Sequence, residues 1–117
     1  SKEYSNKINE LNQQIGVYKQ NIENKDKTQK KVSELTKIEA KIETNLNTHK
    51  KTLEFFEHND NCPTCTQPIE QDFKKQKIEA TNKKIQTLSD GMKQLISEIA
   101  NTETKLTEMD KVSQKIQ

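Results

Sequence analysis

The chain has 117 residues, of which 28% are hydrophobic and 32% charged, with no Trp, two Gly and two Pro. That leaves room for one domain at most, and too little apolar material for a compact globular core. Twenty basic against eighteen acidic residues leave a net charge of only +2, which favours a long coiled-coil chain over a highly charged disordered one.

The first predicted element is a coiled-coil arm over residues 1–58. Ile8, Leu11, Ile15, Tyr18 and Ile22 are spaced three and four residues apart alternately, the a/d seam of a coiled coil. The seam weakens at Lys25 and Gln29 and resumes at Val32, Leu35, Ile38 and Ile42, then Leu46, His49, Leu53 and Phe56. Read this way, the step at Leu35 is short and the step at Leu46 long, a stammer and a stutter that cancel. Residues 59–67 form the predicted apex. Asn59-Asp60-Asn61 ends the arm, because Asn tolerates the left-handed conformation at a helix C-terminus, and Pro63 and Pro68 interrupt the chain. Pro68 suits the first position of a new helix.

The second arm spans residues 68–117. Ile69 and Phe73 begin its apolar face. The seam then runs Ile78, Thr81, Ile85, Leu88, Met92, Leu95, Ile99, Thr102, Leu106 and Met109, continued after a one-residue slip by Val112 and Ile116. Ser89-Asp90-Gly91 is its weakest helical stretch and is expected to loosen or bend. Five acid–lysine pairs at i,i+4 support helix: Glu3–Lys7, Glu23–Lys27, Asp26–Lys30, Glu70–Lys74 and Glu79–Lys83. The expected fold is all-α: an antiparallel two-helix coiled-coil hairpin with a Cys-x-x-Cys apex. The chain opens at Ser1 within a helical pattern, so it is expected to be a segment of a longer protein.

Chemistry concentrates in Cys62-Pro63-Thr64-Cys65, which holds both cysteines of the chain. Two thiolates at this spacing hold one edge of a metal ion, and a structural zinc site needs four ligands. A second copy of the chain is the most economical source of the other two. The expected metal ligands are therefore Cys62 and Cys65, with one zinc ion shared between two chains as a homodimer through the apex. Apart from two inert surface thiols, two alternatives stand beside this. One is an intrachain site completed by His58 and His49, in a coiled-coil spacer that binds another protein. The other is a thiol–disulfide redox element, although that motif belongs in a βαβ context absent here. Phe55, Phe56, Ile69 and Phe73 are expected to pack between the arms at the tip, and Lys74 and Lys75 to offset the negative charge of four thiolates.

Other signals bound the function. Every basic residue is Lys; without Arg, sequence-specific reading of nucleic acid is not expected, and the lysines read as a solvated helical surface. No apolar run is long enough to span a membrane, and no signal peptide is visible. Two cysteines in one motif are not a secreted disulfide framework, so the expected compartment is the reducing cytoplasm.

Cys62-Pro63-Thr64-Cys65, followed by Pro68-Ile69 and flanked by heptad arms, resembles the zinc hook. The hook lies at the far end of the coiled coils of the SMC-like ATPases that act with a nuclease in double-strand-break repair. The likeness covers the architecture of the whole chain and residue identity around the apex; where many members carry Gly after the second cysteine, this chain has Thr66. The richness in Lys, Asn and Ile resembles the product of an AT-rich genome, and the expected source is a phage recombination exonuclease subunit of this family, in which case the compartment is the host cytoplasm. The resemblance implies a tether that joins coiled coils through shared zinc at Cys62 and Cys65. Nuclease subunit and DNA are reached through the parent protein rather than directly. With no phosphate-binding loop and no nuclease cluster, the segment itself is not expected to be an enzyme.

Overall fold

The computed structural model describes the backbone of residues 2–116 and the side chains of residues 2–112. Two α-helices account for almost all of it: α1 (Lys2–His58) and α2 (Gln71–Ile116). The only β-pairing among the described residues is an isolated antiparallel bridge between Asn61 and Pro68. The fold is an all-α, antiparallel two-helix coiled-coil hairpin with the Cys-x-x-Cys motif in its connection. Both prolines lie between the helices, where they break no helical hydrogen bond.

The chain divides into two compact units, Lys37–Ser97 and Ser1–Thr36 with Glu98–Gln117. In the first, the end of α1 and the start of α2 pack along a seam around Leu46 and Leu95, both buried, and Thr81, 3% exposed. Ile78, Ile85, Leu88 and Met92 are half-buried on the same stripe of α2, as their spacing requires. On α1 the half-buried or buried positions include Glu39, Ile42, Leu46, His49, Leu53 and Phe56, with Thr52 and Phe55 half-buried beside the last two. Ile38 is 46% exposed. This corrects the expected stammer and stutter. With Glu39 in place of Ile38, the steps from Val32 to Phe56 alternate three and four without interruption, and the seam needs no register shift. A Glu can occupy such a position because its methylenes tolerate burial while its carboxylate stays near solvent.

In the second unit the regular seam continues through Ile99, Leu106 and Met109, half-buried, and Thr102, 5% exposed. The Thr102 hydroxyl donates to the Glu98 carbonyl at 2.7 Å, so a small polar residue sits in the seam without an unmet hydrogen bond. Facing it, α1 offers Asn21, Lys25, Thr28 and Val32, all half-buried. Lys25 pairs with Asp110 and Lys31 with Glu98 at 3.2 Å. Ile8, Leu11, Ile15, Tyr18 and Ile22, expected as seam, are exposed instead. Val112 is likewise exposed, and the Ile116 side chain lies outside the described residues.

The expected loosening at Gly91 is not seen. α2 is helical through Ser89-Asp90-Gly91, and no glycine has a positive φ. Of the i,i+4 pairs, Asp26 and Lys30 meet at 3.1 Å, whereas Lys74 turns away from Glu70 to Asp60.

Candidate metal centre

Residues 59–70 connect the two helices. The chain leaves α1 through a side-chain cap: Asn59 Nδ2 donates to the Phe55 carbonyl at 2.8 Å. That satisfies one of the orphan carbonyls at the helix end. The left-handed cap expected at Asn59–Asn61 is absent, because Thr66 is the only non-glycine residue with positive φ among those described. Pro68 does not open the second helix either. It stands in the bridge with Asn61, and α2 starts at Gln71 with the Lys74 N–H donating to the Glu70 carbonyl at 3.0 Å.

A short antiparallel ladder closes the connection. The Ile69 N–H donates to the Asp60 carbonyl and the Cys62 N–H to the Gln67 carbonyl, each at 2.8 Å. Inside that ladder the Thr66 N–H donates to the Cys62 carbonyl at 2.8 Å, wrapping residues 62–66 into one tight turn. Closing the turn places Thr66 at φ 60°, a region that favours Gly and is unusual for a β-branched residue. The Thr66 hydroxyl donates to the Cys65 carbonyl at 2.6 Å, holding this conformation locally.

Both thiols are free; Cys62 is half-buried and Cys65 exposed. The Cys65 N–H and side chain and the Thr64 N–H and side chain are the groups set against the Cys62 sulfur. These donors hold the Cys62 thiol below its ordinary pKa, the Cys65 N–H contributing most. Backbone N–H groups aimed at sulfur are what a metal-bound thiolate needs around it. Pro63, with no N–H, leaves that task to the two residues after it. The donor set of the turn thus fits one edge of a tetrahedral thiolate site.

A clamp below the turn holds its base. Lys74 Nζ on α2 meets Asp60 Oδ1 at 2.7 Å. The Lys74 hydrogen bond and charge lower the Asp60 pKa. Lys74, expected to act on the thiolates, is therefore engaged with Asp60. Beneath the clamp, Phe56 stacks edge-on against Phe55 and Phe73, with ring centroids 5.2 and 6.1 Å apart. Ile69 is half-buried, while Phe73 remains 51% exposed.

Cys62 and Cys65 are thus brought together. His49 is not part of the turn: it is half-buried in the seam, in a groove with Asn45, Lys83, Lys84, Thr87 and Leu88. His58 is exposed at the last position of α1. No group of three or more His, Cys, Asp or Glu is gathered anywhere among the described residues. Asp60, Thr64 and Gln67 were not legible as site residues. Asp60 and Lys74 are fourteen apart, outside any helical or strand period, and Gln67 acts through its carbonyl and Thr64 largely through its N–H, which carry no side-chain signal. No protein-family model, curated protein or solved structure matches this chain.

Proposed function

We propose that the hairpin is a zinc-mediated dimerisation element. Cys62 and Cys65 of each of two protomers supply four thiolates to one shared zinc ion. The observation that carries this reading is the half-site at the apex: two free thiols in one tight turn, with backbone donors on one sulfur. No other His, Cys, Asp or Glu joins them among the described residues. Zinc in a structural role takes four ligands, so two come from outside the protomer. A second copy has the same two to give. Bound zinc would supply no chemistry beyond cross-linking, and the segment acts as a tether rather than an enzyme. Following the resemblance to the zinc hook, its parent is a double-strand-break-repair or recombination ATPase working with a nuclease in the cytoplasm. The joined hairpins would hold two coiled coils together there.

Native mass spectrometry tests this on the purified chain, with zinc and after chelation. The expected result is a dimer carrying one zinc that reverts to a metal-free monomer on chelation. A monomer holding one zinc would overturn it and move the remaining ligands inside the chain, with His58 the first residue to replace. A monomer that binds no zinc would leave the thiols to redox exchange.

A further inference from the structure

We infer that the apex is also a site of reversible oxidative modification: hydroperoxides convert Cys62 and Cys65 of a zinc-free protomer into an intrachain disulfide, and that bond switches off dimerisation. The inference rests on the zinc-sharing reading above and takes it one step further, to its regulation.

Three observations carry it. The two cysteines stand three apart in one tight turn, closed by the Thr66 N–H on the Cys62 carbonyl at 2.8 Å, so no long approach is needed to join them. Both thiols are free, and Cys65 is exposed, so an oxidant or reductant reaches the pair from solvent. The turn is closed by backbone bonds outside the two side chains, from Cys62 to Gln67 and from Thr66 to Cys62. A change at the sulfurs therefore leaves the closure of the turn to its main chain.

The chemistry balances within the pair and the oxidant. The Cys62 sulfur attacks the terminal oxygen of a hydroperoxide. The O–O bond breaks, the alcohol or water leaves with the thiol proton, and Cys62 becomes a sulfenic acid. The neighbouring Cys65 sulfur attacks that sulfenic sulfur. The S–O bond breaks, an S–S bond forms, and water leaves with the Cys65 proton. Two thiols lose two electrons and two protons; the hydroperoxide gains both. A sulfur in a disulfide no longer has the thiolate charge that zinc requires. Oxidation and metal binding therefore exclude each other. Zinc protects the thiols of the dimer, and the disulfide keeps a protomer monomeric until a dithiol reduces it.

The test uses the chelated, reduced chain treated with hydrogen peroxide, then given zinc, with and without a dithiol reductant. Intact mass should show the loss of two hydrogens per monomer. A chromophoric zinc indicator should show no uptake until reductant is added, and chain preloaded with zinc should oxidise at least tenfold more slowly. In Cys65→Ser, which lacks the second thiol, a cyclic diketone should trap the sulfenic acid on Cys62, as it should not in the native chain. Disulfides between chains, oxidation beyond the sulfenic state, or zinc uptake by the oxidised chain would overturn the inference. If reduced, zinc-loaded chain is monomeric in the same series, the dimerisation reading fails. The mass and indicator results still decide whether the disulfide forms and displaces zinc.

Discussion

At Thr66 the chain accepts an unfavourable backbone to close the metal turn. A non-glycine residue in a sparsely populated region costs about 1–3 kcal/mol, and the bonds from Thr66 N–H to Cys62 and from Cys62 N–H to Gln67 hold it there. Thr66→Gly removes the steric cost but adds chain entropy of about 0.5–1 kcal/mol in the unfolded state. The net expectation is a gain of about 1 kcal/mol, read as roughly fivefold tighter zinc binding in a chelator competition. Thr66→Val keeps the branch, loses the hydroxyl and should weaken binding. Two residues before Cys62, Asp60 has its pKa lowered by Lys74. A carboxylate with a depressed folded pKa stabilises at pH values above its unfolded pKa, and that stabilisation is lost as pH falls through the folded value. Asp60→Asn should therefore speed hydrogen exchange of the Ile69 amide at neutral pH. The difference from the native chain should vanish in acid, where Asp60 is protonated too. A difference that persists in acid would mean that the clamp is not ionic.

Among the elements, α1 separates seam from surface by one residue. Leu46 is buried and Ile38 is 46% exposed. Leu46→Ala should cost about 2–3 kcal/mol in urea unfolding, and Ile38→Ala less than about 0.5 kcal/mol. Equal costs would restore the seam through Ile38 and with it the stammer. α2 offers the opposite case at Gly91, where an added Cβ meets nothing within 4 Å. Gly91→Ala should stabilise the helix by about 1 kcal/mol through its higher helix propensity, measured as a rise in the thermal midpoint. A loss would show that the backbone there needs the freedom of glycine.

For the whole molecule, the helices and the metal site are separable. Both compact units are built by helix–helix seams that do not include the cysteines. Chelation, Cys62→Ser or Cys65→Ser should thus leave the helical circular dichroism nearly unchanged while abolishing zinc-dependent dimers. Because a partner that binds only the folded state stabilises it by mass action, the thermal midpoint should depend on protein concentration with zinc and much less without it. A collapse of helicity on chelation would make the metal part of the folding nucleus instead.

Sequence by itself determined what depends on local periodicity and chain stiffness. The run from Ile78 to Met109 is legible because a 3,4 spacing places every member on one face of a helix, and with both prolines between the arms only one reversal is available. Cys62 and Cys65 are legible as a pair because their spacing alone puts two sulfurs in one turn. Tertiary structure decided what depends on partners distant in the chain. Whether Ile38 or Glu39 enters the seam is settled by the register of the facing helix, and hydrophobicity alone chose wrongly. Whether Ile8 to Ile22 are buried depends on what lies over them, not on their own pattern. The apex base, made by Asp60 with Lys74 and Ile69 and by Asn61 with Pro68, pairs residues across a reversal where no period applies. So does the left-handed turn at Thr66, since only the closed ladder makes that backbone the cheapest way to complete it.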